Sequence, residues 1–166
     1  MNYGRGSLTA TACRAAARQG GFTMIEVLVA VLVLSIGLIG LASLQGVSLQ
    51  FNNSAYLRSQ ATNLAYDMAD RVRANREAAL VAGAYNITAG AAIPAAGTLP
   101  ETDLNEWRTA LQDSLPSGTG EVLVAGRNLT VVVCWDDTRG QGVAGAPAEC
   151  TADGLNLMGF RFETQL

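Results

Sequence analysis

The stretch that decides the fold is Phe22–Leu44, FTMIEVLVAVLVLSIGLIGLASL, which holds one formal charge, at Glu26. A helix crossing a bilayer needs about 20 apolar residues, so this segment is long enough. The uncharged run extends from Val27 to Leu57, and no proline precedes Pro94, so nothing here forces a helix to break. On the N-terminal side, Arg5, Arg14 and Arg18 stand without a single acid. Beyond Phe22, 14 acids outnumber the remaining arginines. Basic residues stay in the cytoplasm, so the expected topology has its N-terminus inside and the rest of the chain outside.

A cleavable secretory signal would have a core of roughly 7–15 residues and a small-x-small exit. The core here is longer, and Ala42–Ser43–Leu44 is a poor exit. The segment reads instead as a retained anchor. Glu26 is its odd residue, because an unpartnered carboxylate in hydrocarbon is costly. Either it reaches the interface or a partner offsets it, and spacing alone does not choose.

From Gln45 to about Leu80 the pattern stays helical, as an amphipathic continuation of the anchor. Leu57, Ala61, Leu64, Met68 and Val72 form one apolar stripe. Asp67–Arg71 and Arg73–Glu77 are i,i+4 charge pairs away from it. A continuous helix over residues 22–80 would be about 90 Å long. Its first half could be covered only by lipid or by other protein copies. Gly37, Gly40, Ser43 and Gly46 follow at i+3, which allows close helix–helix approach. The plainer reading is that glycine is common in membrane helices.

Residues 81–166 read as a small α+β domain. An Ala/Gly-rich connector over 83–100 carries Pro94 and Pro100. A short helix follows, with Asp103 and Glu106 as a capping box or Thr102 as the cap, and it ends at Pro116–Gly118. Leu104, Trp107, Leu111 and Leu115 mark its apolar face, with Trp107 as core anchor. Glu121–Ala125 and Asn128–Trp135, joined by Gly126–Arg127, predict a hairpin whose second strand is apolar on both faces. A last strand over Leu155–Glu163 puts Met158, Phe160 and Phe162 on one face, at a sheet edge.

Cysteines divide between the basic leader, with Cys13, and the domain, with Cys134 and Cys150. If the domain is exported, the latter pair can close a disulfide; otherwise they are buried thiols. Histidine and lysine are absent, which removes Ser–His–Asp triads, Cys–His pairs and histidine metal sites. No P-loop or dinucleotide fingerprint occurs, and no cofactor and no enzymatic activity are expected. The acid excess excludes a nucleic-acid surface. Asp136, Asp137, Glu149 and Asp153 read as a solvated acidic loop, with a calcium ion as the less favoured use.

Gly20–Gly21–Phe22–Thr23–Met24–Ile25–Glu26–Val27–Leu28–Val29–Ala30 resembles the processing motif of type IV pilins and pseudopilins. The resemblance implies a pilin-like α+β fold, with a long N-terminal helix on a small, mostly antiparallel sheet. It implies that residues 1–21 are a leader cut by the prepilin peptidase between Gly21 and Phe22, with methylation of the Phe22 amine. It also gives Glu26 a role in assembly register, pairing with the N-terminal amine of a neighbouring subunit. Residues 34–45 and 61–75, Trp107, Leu115–Gly118 and Cys134–Trp135 are similar to the type IV pilus modification protein PilV family of minor pilins. Ser43 stands where many major pilins carry a kinking proline.

The implied function is a minor pilin that enters the pilus, where such proteins help prime assembly or form the tip, and affects piliation and adhesion. Its implied partners are the prepilin peptidase, other minor pilins and the major pilin, the inner-membrane assembly platform and the lipid bilayer. Two alternatives stand beside it: a minor pseudopilin of type II secretion, and a membrane-anchored binding domain outside any filament.

Overall fold

Trp107 organises the folded part of the chain. Its ring is fully buried, and its indole N–H donates to the Leu64 carbonyl at 2.9 Å. The computed structural model describes residues 20–81, 83–138 and 145–166. Arg5, Cys13, Arg14 and Arg18 therefore lie outside the described residues. Helix α1 runs Met24–Ala74, α2 is the single turn Arg76–Ala79, and α3 is Leu99–Ser114. Strands β1 (Thr119–Ala125), β2 (Asn128–Trp135) and β3 (Met158–Gln165) form an antiparallel sheet in the order β1-β2-β3. The chain divides into two compact units, Met1–Ala42 and Ser43–Leu166, the division falling within α1.

In the second unit α1 buries Ser54, Leu57, Ala61, Ala65, Met68, Ala69 and Val72. The stripe expected from sequence is there, with Leu64 half-buried at its margin. Small side chains at 61, 65 and 69 let α1 approach its cover closely. That cover comprises Leu104, Trp107 and Leu111 of α3 together with one face of the sheet, Leu129, Val131, Val133, Trp135 and Met158. Tyr66 of α1 meets Phe162 of β3 edge-to-face, with ring centroids 4.7 Å apart. Gly120 is required beneath Trp107, because a Cβ there would lie 2.6 Å from the indole ring.

Strand β2 is central and buried on both faces, as its sequence predicts. Val132 and Cys134 point away from α1, into a second cluster with Ala89, Cys150 and Leu157. Cys134 and Cys150 are joined by a disulfide with Cα atoms 5.5 Å apart. A crosslink closing a loop of this length stabilises the fold by about 3 kcal/mol, mainly by restricting the unfolded chain. The β1–β2 hairpin turns at Gly126–Arg127, where Gly126 takes φ +63°.

Several boundaries differ from the sequence expectation. Helix α1 stops at Ala74 rather than near Leu80, because Asn75 leaves helical geometry (φ −110°, ψ 44°) before the short α2. That break removes the expected Arg73–Glu77 pair; Arg73 binds Asp70 at 3.1 Å instead. Asp67–Arg71 does form, at 3.0 Å. The third helix begins at Leu99, not after Thr102 or Asp103. Its capping box is Thr98 with Glu101, and Pro100 lies within the first turn, where a missing N–H costs nothing. Strand β1 begins two residues earlier than expected, and β3 runs later, from Met158 to Gln165.

The connector has more structure than its composition indicates. Ile87 exchanges both backbone hydrogen bonds with Val122, each 2.9 Å, and the Asn86 side chain accepts the Val124 N–H at 2.8 Å. The connector thereby covers the free edge of β1, an edge that would otherwise offer unpaired groups.

Candidate functional site

The beginning of α1 is set by Thr23. Its carbonyl accepts the Glu26 N–H at 3.1 Å and the Val27 N–H at 3.3 Å, and its hydroxyl accepts the Glu26 N–H at 3.3 Å. Thr23–Met24–Ile25–Glu26 is therefore a Thr-x-x-Glu cap, a signal present in the sequence and passed over there. This places Gly20, Gly21 and Phe22 ahead of the helix and Glu26 in its first turn. A carboxylate is favoured there by the positive end of the helix dipole. Phe22 is 84% exposed. Among the described residues, the Glu26 carboxylate has no hydrogen-bond or ion-pair partner. Gly21 and Phe22, where the resemblance expects the cut, and Glu26 share one exposed segment of six residues.

Every residue from Gly20 to Asn53 is exposed. The apolar window of α1 that is long enough to cross a membrane has none of its surface buried inside the protein. A Cβ added at Gly37, Gly40 or Gly46 would meet nothing within 4 Å, and Ser43 is exposed like them. Among the described residues, the four small residues lie on exposed helix surface.

Several polar groups of the second unit are occupied in holding the fold. Asp137, expected in a solvated loop, is buried, and both carboxylate oxygens accept the Ser54 hydroxyl at 2.9 Å. Glu149, from the same expected loop, pairs with Arg161. Arg71 joins α1 to α3 through Glu106 at 2.7 Å and Asp103 at 3.6 Å, and the Glu106 bond is the main cause of its raised pKa. Tyr85 donates to Asp103 at 2.6 Å and accepts from Asn75 at 2.9 Å. Burial first, then the Asp103 bond, pushes its hydroxyl up to about 12, so it remains a donor. Among the described residues no three acidic or sulfur side chains gather as a metal site.

The uncovered half of α1 acquires its meaning from one comparison. Residues 16–42 match the family model described as the prokaryotic N-terminal methylation motif. The chain carries a prepilin-type methylation motif. Neither a curated protein nor a solved structure matches it. The matched segment contains Gly21, Phe22, Glu26, Gly37 and Gly40, and the chain that follows is built as a pilin-like fold. A long apolar N-terminal helix continues into a half that packs on a small antiparallel sheet.

Proposed function

We propose that the chain is a minor type IV pilin of the PilV kind. Its leader, residues 1–21, is removed by the prepilin peptidase at Gly21–Phe22, and the new Phe22 amine is methylated. Residues 22–44 hold it in the inner membrane with its C-terminal unit in the periplasm. The subunit then moves through the inner-membrane assembly platform into the pilus among other minor pilins and the major pilin. There it helps prime assembly and affects piliation and adhesion. The observation that carries this reading is an exposed apolar helix bearing the methylation motif on a pilin-like unit. Lipid covers such a helix before assembly, and neighbouring subunits cover it afterwards. Gly37, Gly40, Ser43 and Gly46 then permit close approach of a neighbouring helix.

In this reading the Glu26 carboxylate faces the Phe22 amine of an adjacent subunit and fixes the register. Removing the charge eases membrane insertion, since an ionised acid in hydrocarbon is costly. It also leaves the neighbour's amine without its counter-charge in a poorly solvated setting.

The test compares Glu26→Gln and Glu26→Leu with wild type in a piliated host. Mass spectrometry first verifies an N-terminus at methylated Phe22 in each. The expected outcome is normal processing and membrane content with a reduced share in sheared pili. Equal shares in wild type and both mutants would remove this role from Glu26. Normal piliation with defective protein secretion in a deletion strain would assign the chain to type II secretion instead.

A further inference from the structure

A cavity of about 570 Å³ lies between the end of α3, the connector and the segment before β3; Ala91, Arg108, Gln112, Ser117, Thr119 and Asn156 are among its walls. Among its described lining residues Arg108 alone carries a charge. That side chain is 3% exposed. Its guanidinium donates to four backbone carbonyls: Gly120 at 2.5 Å, Ala91 at 2.7 Å, and Ala89 and Thr88 more loosely. Its Nε–H is buried with no acceptor. Among the described residues it has no acid partner.

Carbonyl dipoles meet the donors of a guanidinium but leave its charge uncancelled. Burial without an opposing carboxylate pushes the Arg108 pKa down. Arginine nevertheless stays protonated in proteins. An uncompensated cation in a low-dielectric wall projects a positive potential into the cleft beside it. At the mouth, Gln112, Ser117 and Asn156 are exposed and offer N–H and O–H donors. Ser117 holds φ +51°, the left-handed region that few non-glycine residues adopt.

We propose that this cavity receives an acidic side chain, aspartate or glutamate, presented by a protein partner. Arg108 supplies the field that selects a carboxylate, and the Gln112, Ser117 and Asn156 donors bind its oxygens. Among the described lining residues no aromatic ring is present to stack a sugar, which favours a peptide source over a sugar acid. The proposal is independent of leader processing and would hold in a chain that never enters a filament.

The experiment uses the full chain in non-ionic detergent micelles and follows the Gln112 and Asn156 side-chain amides by NMR. The probes are acetyl-Ala-Glu-Ala-amide, the isosteric acetyl-Ala-Gln-Ala-amide, and glucuronate. The glutamyl peptide is expected to shift both amides at least about tenfold more tightly than the glutaminyl peptide, and less tightly as salt is raised. Because an Arg108 variant can fail to fold, the test substitutions are exposed: Gln112→Glu and Asn156→Asp each place a negative charge at the mouth. Each should weaken glutamyl-peptide binding by about tenfold while leaving the melting temperature unchanged. Equal response to the two peptides, or none at tens-of-millimolar concentration, overturns the proposal. Tighter binding of glucuronate than of the glutamyl peptide overturns it in favour of a sugar acid.

Discussion

Residues 24–53 and 54–74 belong to one helix and share a helical backbone, yet only the second stretch has a face to bury. In the first, Ile39 is 71% exposed and Leu44 69%, and as far as Leu44 apolar side chains surround the helix. In the second, the buried residues recur every three or four positions and the opposite face is charged. A helix that is apolar all round is either in a core or in lipid; one with a single stripe packs on one partner. The second stretch carries its partner in its own chain; among the described residues the first has none.

The largest effect expected from breaking this contrast is at Trp107. Trp107→Ala removes the ring that fills the space between α1, α3 and the sheet and should cost about 3–5 kcal/mol. Pulse proteolysis of the full chain in micelles should show the second unit destabilised by that amount, while membrane association is unchanged. A loss of membrane association in parallel would show that the anchor depends on the folded unit, contrary to the contrast drawn here.

The two stretches were also unequally legible in the sequence. The stripe from Leu57 to Val72, the Trp107 anchor and the two-sided burial of β2 follow from period and residue type alone. The connector expected over 83–100 gives way to α3 at Leu99, since a first-turn proline such as Pro100 is compatible with a helix. The Ser54–Asp137 bond joins residues 83 positions apart, and no local pattern announces it. The same holds for Arg108, whose acceptors are connector and strand carbonyls. The motif around Glu26 is legible in the sequence, and so is the Thr23 cap. What the Glu26 carboxylate pairs with is not, since spacing alone does not identify a partner.

A smaller effect separates the two helix faces by size rather than by deletion. Ala61 is fully buried, and Ala61→Leu should overpack the core at a cost of about 1–3 kcal/mol. Gly40→Leu adds the same side chain where a Cβ meets nothing within 4 Å. Its expected effect on the melting temperature of the second unit is nil. If the small residues admit a neighbouring helix in the filament, Gly40→Leu should nevertheless lower the share of the protein in sheared pili. An undiminished share would leave glycine at position 40 without a packing role.

The smallest expected effect compares acids. Glu121, on β1, has its carboxyl pushed above the ordinary value of 4.5, first by burial and then by the neighbouring Glu149 carboxylate. Its folded pKa therefore exceeds its unfolded one, and the folded state holds the proton more tightly. Stability from this group is full below the ordinary carboxyl range and declines as pH rises through the raised value. Glu101 acts in the opposite sense. The Thr98 backbone N–H and then the Thr98 hydroxyl lower its pKa, so its contribution is lost as pH falls. Total stability mixes the two signs, and only the difference between wild type and Glu121→Gln isolates the first. That difference should be near zero at about pH 4 and favour the glutamine variant at about pH 7, read as denaturation midpoints. Glu26→Gln, altered in the other unit, is the control and should leave the profile of the second unit as in wild type. If Glu121→Gln keeps the wild-type pH dependence, burial on β1 is not what raises this carboxyl. The contrast between covered and uncovered acids would then fail at this position.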